Sequence, residues 1–239
     1  TPSNPLLKIV DLKSVSSIAK KNGIWTMIDN TFASPVNQNP IDHGIDIVIH
    51  SATKYLGGHS DISAGAVIST EEKIENILNS AKNFGGNLSD YTVWLLERSM
   101  KTLLVRVKQQ TENAKILAKM LDDHKNISKV YYPGLQSHPS HSIAKEQMND
   151  FGAMMSFDLN ENIDVYTFLK SFKIIKPGMS LAGVETTVNY PMKTSHGLMT
   201  QDERDIQGIG DKLIRLSAGI ESHEDLYEDL VQAINSSIK

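Results

Sequence analysis

Two apolar runs, each leading into a charged residue, constrain this chain more than any other feature. Ile24-Trp25-Thr26-Met27-Ile28 ends at Asp29, and Ile45 to His50 runs into Ser51-Ala52-Thr53-Lys54. Short apolar runs bounded by turn residues read as buried strands. A helix is expected before the first, capped by Asp11, with Leu12, Val15, Ile18 and Ala19 at helical spacing and Asn22-Gly23 as its stop. Successive strands of a parallel sheet bring their carboxyl ends to one edge, where open α/β sheets place ligands. An amine at that edge can form an imine with a carbonyl cofactor, and a carboxylate there can keep a ring nitrogen protonated. That is the pair pyridoxal phosphate (PLP) requires.

The rest of the pattern continues the alternation. Gly65 to Ser69 reads as a third strand and Glu71 to Ala81 as a helix. From Ser89 to Asp123 the apolar spacing is helical and longer than the usual helix of roughly 11–12 residues. One long connector helix is the preferred reading, with two helices meeting near Lys101-Thr102 as the alternative. Beyond it, Val130 to Tyr132 reads as a strand end and Gly152 to Leu159 as a half-buried strand. Val165 to Phe172 is expected as a helix, Val184 to Tyr190 as extended, Leu213 to Ser217 as a strand, and Ser222 as the start of the last helix. The expected fold class is therefore α/β, a mainly parallel sheet with covering helices, followed by a smaller C-terminal α+β domain. Residues 1–123 would belong to the large domain, including the connector helix, and residues 124–239 to the small one.

Composition narrows the function classes. A net charge of −4 argues against a general nucleic-acid or anionic-membrane binder. No apolar stretch reaches the roughly 20 residues that span a bilayer. The absence of cysteine excludes disulfides, thiolate metal sites and a cysteine nucleophile. It fits a reducing compartment, and a cytoplasmic location is the simple expectation. The opening Thr1-Pro2-Ser3-Asn4-Pro5 reads as the interior of a longer protein.

Around Lys54 the hydroxyls of Ser51 and Thr53, with Gly57-Gly58 after them, suit a phosphate. No G-x-x-x-x-G-K-[ST] or G-x-G-x-x-G loop is present, so the usual nucleotide marks are missing. His138 and His141 lack a third ligand for a metal and are expected at an exposed helix start. His59-Ser60-Asp61 holds triad residue types without triad geometry. Trp94, Tyr131 and Tyr132 are expected in packing.

Read together, Ile28-Asp29-Asn30-Thr31-Phe32 and His50-Ser51-Ala52-Thr53-Lys54-Tyr55-Leu56-Gly57-Gly58-His59-Ser60-Asp61 resemble the Cys/Met-metabolism family of PLP enzymes. Its members include cystathionine γ-synthase, the cystathionine lyases and methionine γ-lyase. Thr1 to Pro5 is similar to the family's E-[ST]-P-x-N-P segment without its acid. Ser180 to Glu185 resembles its S-L-G-G-x-E segment, and Arg215 to Glu221 its R-[LI]-S-[VA]-G-[LI]-E segment. The resemblance implies a fold type I enzyme in which Lys54 carries the cofactor imine and then takes the substrate Cα proton. It implies that Asp29 pairs with the pyridinium nitrogen and that Ser51 and Thr53 bind the phosphate. Asn4 would lie near the cofactor and the substrate carboxylate, Arg215 would bind that carboxylate as a fork, and Ser180 would position the same end.

The implied activity is a carbon–sulfur lyase acting on cystathionine or a similar amino acid, in a homotetramer with shared active sites. The alternatives are γ-replacement on an acylated homoserine and, in another class, a non-catalytic binding or assembly fragment. Met179 stands where many γ-type members have Glu, and Ala182 replaces the commoner Gly. Family segments that precede the position of Thr1 hold further cofactor contacts. The isolated 239 residues are therefore expected to bind PLP poorly.

Overall fold

The computed structural model describes residues 1–239. Helix α1 (Leu12–Lys21) starts where expected, because the Asp11 carboxylate accepts from the Ser14 N–H at 3.0 Å. Strands β1 (Met27–Asp29), β2 (Ile47–Ser51) and β3 (Gly65–Ile68) form one sheet in that order. Between β1 and β2 lie the short helix α2 (Ser34–Asn37) and a 3-10 turn over Pro40–His43. β1 and β2 pair in parallel, with Asp29 opposite Ile49, so both charged strand ends face the same edge. β3 runs antiparallel to β2, which confines the expected parallel pairing in this sheet to β1 and β2.

The run from Ile24 was expected to be a buried strand throughout. Only its last three residues pair, and Trp25 and Met27 are exposed, at 66% and 64%. The reason is position: β1 is an edge strand, and the small cluster of Leu12, Ile28, Ile45 and Val48 covers one of its faces.

Helix α3 (Glu71–Phe84) follows β3, then α4 (Asp90–Met100) and α5 (Leu103–Asp122). The preferred single connector helix is therefore two helices. The break falls at Lys101-Thr102, where the N–H groups bond Arg98 and Ser99 carbonyls three residues back. The Thr102 hydroxyl also donates to the Ser99 carbonyl, at 3.1 Å. A β-branched residue bonding its own backbone offers an alternative to continued helix.

The second sheet has the order β4 (Ile127–Tyr131), β5 (Met154–Leu159), β8 (Leu213–Ser217), β7 (Thr187–Asn189), β6 (Lys176–Pro177). All its pairs are antiparallel except β6 with β7. Helices α6 (His141–Gln147), α7 (Val165–Lys170), α8 (Gln201–Gln207) and α9 (His223–Ser236) complete the chain. β5 is buried along both faces rather than half-buried, because it lies between two neighbours and under α5. The main core joins Leu117 and Leu121 of α5 to Phe157, Phe168, Leu230 and Ile234, all fully buried. Each such side chain contributes roughly 1.5–3 kcal/mol by leaving water. His138 is buried, not at an exposed helix start, while His141 donates from Nδ1 to the Pro133 carbonyl at 2.8 Å and stacks on Phe151.

One carboxylate organises the route into β6. Asp229 of α9 accepts the N–H groups of Lys173, Ile174 and Ile175 at 2.8–2.9 Å, and Gln232 at 2.9 Å. Burial alone would raise its pKa, but the N–H donors of Ile175, Lys173 and Ile174, with Gln232, outweigh it and hold the group below its ordinary value. A depressed carboxyl pKa contributes stability above the unfolded value of about 3.9, and that contribution is lost as pH falls through the folded value. Asp229→Asn, which turns an amide N–H toward backbone donors, is expected to cost about 2 kcal/mol in urea unfolding at pH 7. The gap from wild type should narrow at acid pH, as the pH falls through the depressed folded value. An equal gap at neutral and acid pH would show that the charge is not what holds the loop.

Candidate active site

The carboxyl edge of the first sheet is stitched by a residue that the motif reading passed over. The Thr31 N–H donates to Asp29 Oδ1 at 2.9 Å, and the Thr31 hydroxyl accepts the Ser51 N–H at 2.8 Å. Thr31 thereby fixes the Asp29 carboxylate relative to the end of β2. Asp29 itself is exposed and makes no ion pair, so the carboxylate is open to a ligand.

Lys54 sits in a tight turn directly after β2. Its N–H bonds the Ser51 carbonyl at 3.0 Å, and its carbonyl accepts from Gly58 at 2.6 Å. Thr53 fastens this turn to Ala64 before β3: its hydroxyl accepts the Ala64 N–H at 2.9 Å and reaches the Ala64 carbonyl at 3.3 Å. The Thr53 hydroxyl can therefore turn its proton to a phosphate while still accepting from Ala64. Gly58 has φ of +71°, and a Cβ there would run into the Arg106 guanidinium. Glycine at this position is required by both the backbone and the packing.

The other half of the site comes from the second sheet. Arg215 lies on β8 opposite Ser156 of β5 and Asn189 of β7, and it is only 3% exposed. Its guanidinium donates to Asn4 Oδ1 at 3.0 Å and to the Met179 carbonyl at 3.1 Å. No carboxylate pairs with it. The Ser156 hydroxyl donates to the Pro5 carbonyl at 2.7 Å, which ties down the segment carrying Asn4. Ser180, exposed, lies 3.5 Å from the Ser60 hydroxyl, and its carbonyl accepts from Thr187 at 2.9 Å. Ala182 adopts φ of +65°, held by its N–H donating to the Ser217 hydroxyl at 2.7 Å. In a conformation that glycine tolerates best, the alanine is a larger departure from the motif than its size suggests.

The electrostatics follow from burial. Lys54 is half-buried and its pKa is lowered, first by loss of water and then by the Arg215 charge. Burial brings Arg215 down to about 10, so it stays cationic at neutral pH. His196 is lowered too, by burial and then by Arg215, which places it near the same cluster. An amine inclined to be neutral, a buried guanidinium held only by neutral acceptors, and an open carboxylate suit an anionic amino acid beside a carbonyl cofactor. The arrangement fits PLP: Asp29 would face the ring nitrogen, Lys54 its carbonyl, and Ser51 with Thr53 its phosphate.

Sequence reasoning missed Thr31, Asn189 and His196. Asn189 stands directly across from Arg215, with its Nδ2 buried and unpartnered. Cross-strand neighbours share a face, but nothing in the linear spacing pairs residues on β7 and β8. If Arg215 is the charge that Lys54 feels, Arg215→Gln should raise the pH midpoint for acetylation of Lys54, read by peptide mass spectrometry. Wild-type Lys54 should titrate below an ordinary lysine, which lies at about 10.4. A midpoint that does not move in the variant would separate the two groups.

Comparison with known proteins is consistent with this geometry. The family model described as Cys/Met metabolism PLP-dependent enzyme matches residues 1–235. A cystathionine beta-lyase of Lactococcus lactis is 45% identical over 235 residues, covering 98% of this chain and 62% of the relative. The crystal structure of a cystathionine gamma-lyase from Lactobacillus plantarum complexed with L-serine superposes with a TM-score of 0.95 at 41% identity, over 99% of this chain and 62% of that one. A cystathionine gamma synthase from Xanthomonas oryzae, in complex with aminoacrylate and cysteine, gives a TM-score of 0.95 at 43% identity, with coverage of 99% and 62%. The chain thus spans about three-fifths of the length of these proteins. This sequence belongs to the Cys/Met-metabolism family of PLP-dependent enzymes, whose fold and cofactor are those the site was built for.

Proposed function

We propose that the protein is a PLP-dependent carbon–sulfur lyase acting on cystathionine or a related sulfur amino acid. The observation that carries this reading is the buried Arg215 guanidinium, held by Asn4 and the Met179 carbonyl without a protein counter-ion, beside the depressed Lys54 amine. An arginine fork matches a carboxylate in a way that a lysine does not. Bound PLP would supply the electron sink for charge developing at the substrate Cα.

The chain's own residues do the rest. Arg215 would fix the substrate carboxylate, and Asn4 would fix Arg215. Ser180 would border the same end of the substrate. Lys54, whose ammonium form is disfavoured first by partial loss of water and then by the Arg215 charge, would take the Cα proton. For β-cleavage, the electron pair left at Cα would form the Cα–Cβ double bond as the carbon–sulfur bond breaks, with that bond's own pair leaving on sulfur. Asp29, oriented by Thr31, would hold the cofactor ring.

A second reading, γ-replacement on an acylated homoserine, has support from the likeness to a gamma synthase, whereas Met179, standing where many γ-type members have Glu, weakens a polar contact to a charged distal substrate end and counts against a standard γ-type specificity. We further read residues 1–123 and 124–239 as two domains, the enzyme as a cytoplasmic homotetramer, and its sites as shared between subunits. The exposed Tyr91, Val93 and Trp94 of α4 offer apolar surface for such assembly.

The test uses the whole protein. Lys54→Ala should abolish turnover and the borohydride-fixed pyridoxyl label at position 54, whereas a non-catalytic role would leave function intact. Arg215→Lys should weaken kcat/KM roughly 10- to 100-fold, as expected for a lost fork of charge-assisted bonds worth about 1.5–3 kcal/mol. With cystathionine as substrate, pyruvate reports β-cleavage and 2-oxobutyrate γ-cleavage. The absence of both products would overturn the lyase reading in favour of the synthase.

A further inference from the structure

Helix α5 carries three buried polar side chains on one face, at Arg106, Gln110 and Asn113, with exposures of 5%, 0% and 0%. Positions i, i+4 and i+7 stack along a single helical stripe. A buried stripe of this kind on a helix that also packs the main core is costly unless each group finds partners. All three donate to main-chain carbonyls, in three segments of the site and, for Arg106, also in α4, while Gln110 Oε1 stays buried without a partner.

Arg106 donates to the Tyr55 carbonyl at 3.0 Å, more weakly to Leu56 at 3.5 Å, and to Ser99 at 3.0 Å. Its Nε is braced by the Thr102 hydroxyl at 3.1 Å, at the break between α4 and α5. Gln110 donates to the Gly183 carbonyl at 2.6 Å. Asn113 donates to the Gly219 and Glu221 carbonyls at 3.0 and 2.7 Å, and Gln109 orients it through a 2.9 Å bond to its Oδ1. Apart from Ser99 in α4, each target segment carries a site residue. Tyr55 adjoins Lys54, Gly183 closes the loop begun by Ser180, and Gly219 follows the strand bearing Arg215.

We propose that Arg106, Gln110 and Asn113 are positioning residues: one rigid helical stripe that sets the Lys54 turn in register with the Ser180 loop and the Arg215 strand. This inference rests on the reading that Lys54 and Arg215 address one substrate. The stripe is about 10 Å long at 1.5 Å per residue. Its span is fixed by helix geometry, not by loop conformation. Leaving any of these buried groups unpaired costs about 1–3 kcal/mol, so the three segments resist sliding against α5. The requirement for glycine at position 58 belongs to the same device, since the guanidinium fills the space of a Cβ there.

Because the two ends of the stripe hold different parts of the site, breaking them should have different signatures in the PLP-loaded whole enzyme. Arg106→Met should weaken PLP binding about tenfold, and it should shift the pH titration of the bound cofactor's absorbance, with KM near wild type. Asn113→Leu should raise KM and the dissociation constant for glycine, a non-eliminating amino acid probe, about tenfold. In that variant PLP affinity and the absorbance titration should stay unchanged. Tenfold corresponds to about 1.4 kcal/mol. If either variant fails to fold, Arg106→Lys and Asn113→Ser test the same split with smaller shifts. Variants that move both sets of readouts together, or move only the melting temperature, would reduce the stripe to ordinary packing. Failure of the underlying reading would look different: Lys54→Ala would retain turnover whatever the α5 variants did.

Discussion

The rest of the site depends on a buried positive charge with no negative partner. Arg215 lies on β8 between β5 and β7, yet the groups that accept its hydrogen bonds are an amide oxygen and a backbone carbonyl. Neutral acceptors orient a guanidinium without cancelling it, so its field adds to the larger effect of lost water in lowering the Lys54 amine and the His196 ring. A carboxylate in place of Asn4 would quench that field. The chosen partners leave a cationic pocket that an anionic ligand can neutralise, and arginine alone among the basic side chains keeps its proton under such burial.

The fold serves this arrangement by bringing two sheets to one helix. The first sheet supplies Asp29 and the Lys54 turn at its carboxyl edge, where parallel pairing of β1 and β2 aligns their ends. The second supplies Arg215 from a central strand, the least mobile place available to a charged group. The break at Lys101-Thr102 separates α4 from α5, and its Thr102 hydroxyl braces Arg106 on the Lys54 turn.

Much of this was legible in linear order. Asp11 before α1, the strand ends at Asp29 and Ser51, and the motif around Lys54 are local features, and local rules of capping and periodicity found them. The misreadings have a common cause. Ile24 to Met27 looks like a buried strand, but hydrophobicity does not tell an edge strand from a central one. Gly152 to Leu159 alternates in sequence, yet neighbours on both sides and α5 above bury it entirely. The apolar spacing runs unbroken through Lys101-Thr102, where side-chain bonds rather than hydrophobicity end the helix. Helix α8 was missed although Thr200 and Glu203 carry its capping-box signal, and both reciprocal bonds form.

The sequence by itself pointed to the chemistry: an amine after one strand, a carboxylate at the end of another and hydroxyls beside the amine, with the carboxylate-binding arginine added by the family resemblance. These rest on residue identity, short spacing and motif likeness, and they need no fold to be read. Only the tertiary structure decided that Asn4 meets Arg215 across 211 residues, that Thr31 joins Asp29 to Ser51, and that one stripe of α5 touches all three site segments. Such contacts come from strand order and helix packing, which bring together residues that no local pattern links.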